Sequence, residues 1–221
     1  GQDPRRRRWY DVSARDDVLA RVRTAIGQQP ELVVSRAYRQ GGVTAAGDPV
    51  LVDLFEDRLV DYRATVRRTA AGGIADTIAA VFAQRSPAGA RIVVPAGLER
   101  GWVSGAAEVV VDDGGLTAAG LDKLDAVVTA CVVAIAETGT IVLDGSADQG
   151  RRAISLVPDL HVCVVRVDQI VDNVPDALRL LEPTRPLTFI SGGSATSDIE
   201  LKRVEGVHGP TTLEVVLVTP S

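Results

Sequence analysis

Residues 125–135 read DAVVTACVVAI, and this stretch decides the fold class. Almost every position after the first is apolar, and much of the run is β-branched, which favours a strand. A strand without a polar face is buried on both sides, and such strands are typical of parallel sheets covered by helices. We therefore predict one long strand here, in an α/β protein built on a mainly parallel sheet flanked by helices.

Apolar runs and helix signals alternate around this stretch, as expected for successive strand–helix units. Other strands are predicted at residues 91–94, 108–111, 140–143, 161–165, 187–190 and 213–218. Short helices are predicted between them at residues 118–124, 150–156 and 175–181. The alternation places this part of the chain in one α/β domain, residues 90–221.

The chain before residue 90 is more charged and is predicted to be helical. Its clearest helix, predicted over residues 51–70, has apolar residues three and four positions apart, which gives a single apolar stripe. Further helices are predicted at residues 13–27 and 74–84. We expect residues 13–89 to pack on the α/β domain as an N-terminal helical segment, with residues 1–12 as a basic arm.

Composition excludes several classes of protein. The net charge of −5 and the isoelectric point near 5.1 argue against nucleic-acid binding, and the four arginines at positions 5–8 are interpreted as a solvated arm. No apolar run approaches the roughly 18 residues that a membrane span needs, and no signal peptide is visible. These features predict a cytoplasmic protein without a membrane span.

The two cysteines, Cys131 and Cys163, both lie in apolar strand-like runs. In that setting they are interpreted as small buried hydrophobic residues. No Cys-x-x-Cys motif is present, and two distant cysteines do not suffice for an iron–sulfur cluster. We therefore predict that the chain binds neither a metal nor a cofactor of its own.

The run SGGSATSDIE at residues 191–200 follows a predicted strand directly. Ligands of open α/β sheets bind outside the carboxyl ends of the strands, so we expect this loop at that edge. Its amides and hydroxyls suit an anion, and no Lys follows as in a P-loop. An ordinary turn, with Thr196 or Ser197 capping a short helix, is the alternative. The candidate ligand-binding residues are Ser191, Gly192, Gly193, Ser194, Thr196, Ser197, Asp198 and Glu200.

A second candidate is the segment EGVHG at residues 205–209. His208 between glycines is accessible and titrates near neutral pH, which suits acid–base catalysis. Glu205 is the residue that would orient it, and Gly206 and Gly209 would leave room for a ligand. The alternative is a loop histidine bonded to a backbone carbonyl.

A third candidate is the segment ETGT at residues 137–140, between two apolar strands. Glu137 either ends a strand in solvent or is buried with a raised pKa and a catalytic role. Gly139 would let a ligand or another backbone approach, and Thr140 follows it. Both interpretations stay open.

Arginine supplies a fourth candidate. Arg151 and the adjacent Arg152 could bind an anion bidentately, or they could simply begin a solvated helix. His161 lies inside a predicted strand and is interpreted as a core histidine with a satisfied hydrogen bond.

Four motifs in order give a resemblance to a known family. They are residues 138–144 (TGTIVLD), 156–161 (LVPDLH), 189–200 (FISGGSATSDIE) and 204–210 (VEGVHGP). Together they resemble the LUD domain family and, within it, the branch of lactate utilization C proteins. Gly193 departs from the pattern, because it stands where the family's Gly-Pro-Ser run has Pro.

The resemblance implies a NagB/RpiA/CoA-transferase-like fold and a role in oxidising L-lactate to pyruvate. It also implies partner subunits that carry iron–sulfur clusters, while this chain lacks cluster cysteines. Relatives of that fold use a glutamate at a strand end in acyl transfer, which would make Glu137 a nucleophile or base. A stand-alone CoA-transferase-like or sugar-phosphate-isomerase-like enzyme is therefore the alternative, and an interaction protein with a vestigial pocket is the third possibility.

Overall fold

The computed structural model describes residues 14–27, 33–86, 88–196, 204–205 and 209–220, with the backbone alone at residues 195–196 and 204–205. The chain divides into two compact units, residues 1–38 and residues 39–221. The predicted basic run at positions 5–8 lies outside the described residues. The predicted division into an arm, a helical segment and an α/β domain stays a prediction.

The described part of the first unit contains the helix α1 (Ala14–Ile26). Asp16 and Asp17 lie in its first turn and Arg23 in its last, which complements the helix dipole. None of its residues is buried. This helix confirms the one predicted over residues 13–27.

The second unit is built on a six-stranded sheet in which all pairs are parallel. The prediction of a mainly parallel sheet is therefore confirmed. In spatial order its strands are β1 (Thr65–Ala70), β12 (Thr212–Thr219), β7 (Leu160–Arg166), β4 (Ala126–Thr129), β2 (Arg91–Pro95) and β3 (Glu108–Asp112).

A second, mixed sheet of four strands was not predicted. In spatial order its strands are β8 (Ile170–Val171), β5 (Val133–Ile135), β6 (Thr140–Leu143) and β9 (Thr188–Ile190). The central pair, β5 and β6, is antiparallel, and β9 is antiparallel to β6. The described backbone also forms one small antiparallel pair, β10 (Ala195–Thr196) with β11 (Val204–Glu205).

The prediction of one long strand over residues 125–135 is wrong, because the run is divided between the two sheets. The amide of Ala130 donates to the Asp148 carbonyl, and the amide of Val132 donates to the Val142 carbonyl. The chain thus exchanges β7 for β6 as its hydrogen-bonding partner at this point. Both halves are buried, so the apolar pattern gives no sign of the exchange.

Helices and sheets stack in layers. The helix α3 (Ile74–Arg85) packs on one face of the main sheet, whereas the helix α2 (Pro49–Asp61) and the second sheet pack on the other. The helix α5 (Val174–Leu180) covers the outer side of the second sheet. The short helix α4 (Ala118–Leu121) and the turns at residues 152–156 contribute to the core beside β2 and β4.

The predicted helix over residues 51–70 ends too late. The helix α2 ends at Asp61, and residues 65–70 form the edge strand β1. The amide of Ala64 donates to the Leu59 carbonyl and that of Arg63 to the Val60 carbonyl, which is a Schellman motif. Arg63 adopts φ 64° where glycine is usual, so the sequence lacks the common stop signal.

One further helix prediction differs from the structure. Residues 152–156 form successive turns and not the helix predicted over residues 150–156. The short helix that Thr196 or Ser197 was predicted to cap lies outside the described residues. In the part of the chain that the structure describes, no helix combines the length and the apolar character needed to cross a bilayer.

Candidate functional site

One cavity lies beside residues 191–194, here called the Gly192 loop. This loop follows β9 and lines a pocket of about 300 Å³, the Gly192 pocket. The main sheet, the second sheet and the turns at residues 152–156 all contribute to its wall. Its lining residues beyond the loop are Arg152, Ser155, Leu156, His161, Thr188, Phe189, Ile190, Gly209, Pro210 and Leu213.

The pocket lies at the opposite edge of the main sheet from the predicted one. His161 and Leu213 are register partners near the amino ends of β7 and β12. The amide of Ser194 donates to the Pro210 carbonyl at 2.7 Å, just before β12 begins. The strand before the loop, β9, runs antiparallel to β6 in the second sheet, so the rule for carboxyl edges of parallel strands does not apply to it.

Packing fixes the conformation of the Gly192 loop. Gly192 has φ +100°, and a Cβ there would lie 2.6 Å from the carbonyl oxygen of Tyr62, just beyond α2. Gly193 lies against the backbone of Thr211. The Ser191 hydroxyl is 2.7 Å from Oγ1 of Thr140. The predicted ligand residues of this loop therefore also hold it against its neighbours.

Residues 137–139 form the Glu137 turn between β5 and β6. Both carboxylate oxygens of Glu137 accept from Arg39, at 2.9 and 2.8 Å, and these hydrogen bonds raise the pKa of Arg39. The pair is exposed, so Glu137 ends a strand in solvent. Gly139 has φ +58°, and a Cβ there would lie 2.7 Å from Cβ of Arg58 in α2. The close approach at this glycine is thus made by a helix.

Thr140 connects the Glu137 turn to the Gly192 loop. It is buried, and its hydroxyl is 2.7 Å from the Thr138 hydroxyl as well as from that of Ser191. Glu137 is not among the described residues that line the pocket. The structure therefore joins Thr140 to the Gly192 loop and leaves the Glu137 carboxylate outside the pocket.

His161 is buried, as interpreted from the sequence, and it also lines the Gly192 pocket. Its Nε2 is 2.8 Å from Oγ1 of Thr129. Burial lowers the pKa of His161 to about 4, so the imidazole is neutral at pH 7. Its signal in the sequence was a single polar residue inside an apolar strand.

The two adjacent arginines have different environments. The guanidinium of Arg151 donates to both carboxylate oxygens of Asp112, at 2.7 and 2.9 Å, and to the Leu116 carbonyl. These bonds lower the pKa of Asp112. The backbone carbonyl of Arg152 accepts from the Ser155 hydroxyl at 3.1 Å, while its guanidinium forms no hydrogen bond or ion pair with any described residue. Arg152 lines both the Gly192 pocket and an adjoining cavity of about 550 Å³.

Several predicted site residues lie outside the described residues: Ser197, Asp198, Glu200, Gly206 and His208. Thr196 and Glu205 are described by their backbone alone, in β10 and β11. Gly209 lines the pocket next to Ser194. The catalytic roles predicted for His208 and Glu205 stay predictions.

Polar residues that the sequence did not indicate complete the pocket. Ser155 and Thr188 are both buried, and each lies in a segment without a motif. Within the described ranges, no group of three or more His, Cys, Asp or Glu could hold a metal ion. Both cysteines are buried in the core.

The chemistry of the pocket follows from these groups. Arg152 is the one charged residue among the described residues of its lining, which also supplies four hydroxyls, a neutral imidazole and several apolar side chains. A cation with no acidic neighbour in that lining attracts anions. The arrangement suits a small organic anion with an apolar part.

Comparisons with known proteins give the family. The model of the LUD domain matches residues 108–218. The lactate utilization protein C of Deinococcus radiodurans is 50% identical over 168 residues, which cover 74% of this chain and 77% of the relative. The lactate utilization protein C of Bacillus subtilis is 34% identical over 100 residues, which cover 42% of this chain and 41% of the relative.

A solved structure agrees with this match. The crystal structure of a DUF162 family protein from Deinococcus radiodurans is 43% identical to this chain, with a TM-score of 0.66. The alignment covers 76% of this chain and 96% of the solved one. By sequence and by fold, this chain belongs to the LUD domain family.

Proposed function

We propose that this chain is the non-cluster subunit of an L-lactate utilisation system, which oxidises L-lactate to pyruvate together with iron–sulfur partner proteins. The observation that carries the proposal is the 50% identity to a relative named lactate utilization protein C over three quarters of this chain. Several more distant relatives bear the same name. Homologues this similar commonly share a biological role, although the fold alone would not establish it.

The Gly192 pocket supports the same proposal. Lactate is a small anion with a methyl group, and the pocket offers one arginine, several hydroxyls and apolar side chains in about 300 Å³. That volume is at the lower end for ligand sites in proteins. The size and lining of the pocket therefore support a small carboxylate as its ligand.

The assignment of ligand binding to this chain and of electron transfer to its partners has a chemical basis. Oxidation of lactate releases two electrons, and the acceptor for them is assigned to the iron–sulfur partners. Cys163 lies in β7 and Cys131 follows β4, and both are buried in the core. Among the described residues, no group of three or more His, Cys, Asp or Glu could hold a metal ion. In the proposal this chain contributes binding and positioning, and the partners carry the electrons.

A deletion strain of the natural host tests the proposal. We expect extracts without this chain to lose L-lactate-dependent dye reduction and to regain it when the wild-type chain is added back. Anaerobic affinity purification of the chain is expected to bring iron–sulfur proteins with it, as judged by native mass spectrometry. Oxidation of another substrate, such as succinate, is the control and stays unchanged.

Two outcomes would contradict the proposal. Undiminished lactate oxidation without the chain would remove it from the system. A chain that purifies alone and transfers acyl groups from an acyl-CoA would favour the stand-alone enzyme.

A further inference from the structure

We propose that the cavity of about 550 Å³ that adjoins the Gly192 pocket, here called the Pro95 cavity, binds a nucleoside phosphate. In this proposal Arg152 and Thr188 bind the phosphate and Asp112 accepts a hydrogen bond from the ribose. A wall of glycine and proline residues contacts the base. The inference goes beyond the proposed function and does not depend on it.

The Pro95 cavity lies at the carboxyl edge of the main sheet. Pro95 ends β2 and Asp112 ends β3, and both residues line the cavity. The chain leaves β2 for β3 on one side and then returns to β4 on the other side, so β2 and β4 flank a topological switch point. Ligands of open α/β sheets bind outside the carboxyl ends of the strands at such a point.

Residues 145–150 pack against this switch point. The Ala147 carbonyl accepts from the Gly97 amide at 2.8 Å, shortly after β2. The Asp148 carbonyl accepts from the Ala130 amide at 3.0 Å, directly after β4. The same segment lines the Pro95 cavity, so its backbone is available to a ligand bound at the switch point.

Two glycines of this segment form an apolar wall together with two prolines. Gly145 has φ +73°, and a Cβ there would lie 3.5 Å from Cγ of Pro186. Gly150 has φ +70°, and a Cβ there would lie 3.0 Å from Cβ of Pro95. Glycine allows a close approach between backbone and ligand. The wall carries no long side chain, which leaves space for a planar ring such as a nucleobase.

Two hydrogen-bond donors are unpaired where the Pro95 cavity meets the Gly192 pocket. Arg152 and Thr188 line both spaces, and neither the guanidinium nor the hydroxyl forms a hydrogen bond with any described residue. Thr188 is only 8% exposed. Because no fully buried polar side-chain atom of the described residues lacks a partner, its hydroxyl is reached from the cavities that it lines. A guanidinium and a hydroxyl together suit the oxygen atoms of a phosphate.

The net charge of the cavity lining favours an anion. Its charged residues, among those that the structure describes, are Arg151, Arg152 and Asp112. Arg151 donates to both carboxylate oxygens of Asp112, which leaves the charge of Arg152 for the ligand. A guanidinium has five N–H donors, so a phosphate in the cavity leaves others for a small anion in the Gly192 pocket.

Asp112 supplies an acceptor for the ribose. Its side chain is 5% exposed and still lines the cavity. Two hydrogen bonds from Arg151 and one from the Gly114 amide use three of the roughly four lone pairs of the carboxylate. A ribose hydroxyl can donate to the remaining one, as it does to acidic residues in other nucleotide sites.

Calorimetric titration of the full chain at pH 7 with AMP, GMP, CMP and UMP in turn tests the inference. We expect at least one nucleotide to bind. Its nucleoside and ribose 5-phosphate, which lack the phosphate and the base respectively, should each bind at least about ten-fold more weakly. Failure of all these nucleotides to bind at millimolar concentration would overturn the inference. Equally tight binding of ribose 5-phosphate or inorganic phosphate would also overturn it, because the base would then contribute nothing.

Two variants assign the phosphate contacts. Arg152→Gln is expected to weaken nucleotide binding at least about ten-fold, and Thr188→Val, which keeps the shape of the side chain, by a smaller factor. Arg100→Gln is the matched control, at an exposed arginine outside both linings, and leaves the affinity unchanged. Full affinity in Arg152→Gln would refute the assignment of the phosphate to this end of the cavity.

A third variant locates the ligand. Ala96 is exposed and lines the Pro95 cavity but not the Gly192 pocket, so Ala96→Phe fills the cavity without entering the core. We expect nucleotide binding to be lost and the thermal unfolding midpoint to be unchanged. Nucleotide binding that persists in this variant would place the ligand elsewhere and overturn the inference.

The two proposals can fail separately. A chain that is required for lactate oxidation but binds no nucleotide refutes this inference and leaves the proposed function. Nucleotide binding by a chain whose deletion leaves lactate oxidation intact does the reverse. A bound nucleotide would also contradict the sequence-based prediction that the chain binds no cofactor of its own.

Discussion

The Glu137 turn and the Gly192 loop both pack against the carboxyl-terminal end of α2. Each follows a short strand of the second sheet and contains a glycine with positive φ. Gly139 faces Arg58, and Gly192 faces Tyr62. The turn then exposes its carboxylate to solvent and to Arg39, whereas the loop borders a pocket with a buried histidine. A glycine with positive φ thus allows close packing in both segments. In the Glu137 turn it serves packing alone, and in the Gly192 loop it serves packing beside a cavity.

The difference arises from what lies beyond each glycine. Residues 137–139 form a tight turn, and the chain enters β6 at Thr140. The Gly192 loop runs beside Pro210 and Thr211, which lead into β12 of the main sheet. A loop between two sheets leaves space that side chains fill incompletely, and a hairpin turn at one edge does not. A glycine-rich motif therefore indicates that another segment packs closely against its backbone, while the tertiary structure decides which segment that is.

The largest expected effect is that of Gly192→Ala. We expect the free energy of unfolding to fall by about 4 kcal/mol, because φ +100° disfavours any Cβ and the added atom overlaps a backbone oxygen. Gly139→Ala is expected to cost about half as much, since φ +58° is accessible to alanine at lower cost. Urea unfolding measures both.

Gly72→Ala is the control, because a Cβ at that position meets nothing within 4 Å. It is expected to change the free energy of unfolding by less than about 0.5 kcal/mol. Equal effects of the alanine substitutions at positions 192 and 139 would remove the distinction between the loop and the turn.

The second largest effect is the pH dependence of the free energy of unfolding that comes from His161, which lines the pocket beside the Gly192 loop. Burial lowers its pKa from 6.5 to about 4, so between these values the unfolded chain binds a proton that the folded protein does not. The free energy of unfolding therefore decreases as the pH falls from 6.5 to 4, by about 3 kcal/mol in total, and this contribution is constant above pH 6.5.

Urea unfolding at pH 7, 5.5 and 4.5 isolates that contribution when the wild type is compared with His161→Gln. The variant retains the carboxylates that titrate in the same range, so the difference between the two slopes belongs to His161. Parallel slopes would show that His161 is protonated in the folded protein.

A smaller effect is expected from removing the hydroxyl contact between the Glu137 turn and the Gly192 loop. Thr140→Val removes the hydroxyl that contacts Thr138 and Ser191, and we expect a loss of about 1 kcal/mol in the free energy of unfolding. A double-mutant cycle with Ser191→Ala measures the coupling. Strict additivity would mean that the hydroxyl contact contributes nothing to stability.

The smallest effect is expected at Glu137. Its side chain is 43% exposed and that of Arg39 is 58% exposed, so Glu137→Gln should change the free energy of unfolding less than any other substitution named above except the control Gly72→Ala. Arg39→Gln is the matched variant from the other side of the pair and is expected to have an equally small effect. Lactate affinity is expected to be unchanged in both.

A covalent acyl adduct would contradict this assignment. If an acyl-CoA labels Glu137 in the wild type and not in Glu137→Gln, as judged by mass spectrometry, then the turn is a reactive site. The transferase alternative would then replace the interpretation of this turn as a packing element.

Local patterns predicted much of the fold. The strands β2, β3, β6, β7, β9 and β12 lie within a residue or two of the predicted runs, because buried parallel strands are apolar throughout. The division of residues 125–135 between two sheets was missed, since both halves are equally buried. The strand β1 was missed because Val66 continued the apolar spacing of α2, and Arg63 ends that helix without the usual glycine.

The candidate site was predicted less completely. The Gly192 loop was identified from its small residues, and Thr140 was identified beside Glu137. The hydroxyls of Thr140 and Ser191, 51 residues apart along the chain, come into contact only in the tertiary structure. Arg151 and Arg152 are indistinguishable in sequence, because only the position of Asp112 decides which of the two is engaged.

The sequence by itself determined the α/β class, the family and the segments where backbone and side chains approach closely. Those properties depend on local composition and on ordered motifs, which can be recognised in the sequence alone. The tertiary structure decided that the pocket lies at the amino ends of β7 and β12, that the buried His161 lines it, and that Glu137 does not. These properties depend on which strands pair across long separations, and no local pattern records that pairing.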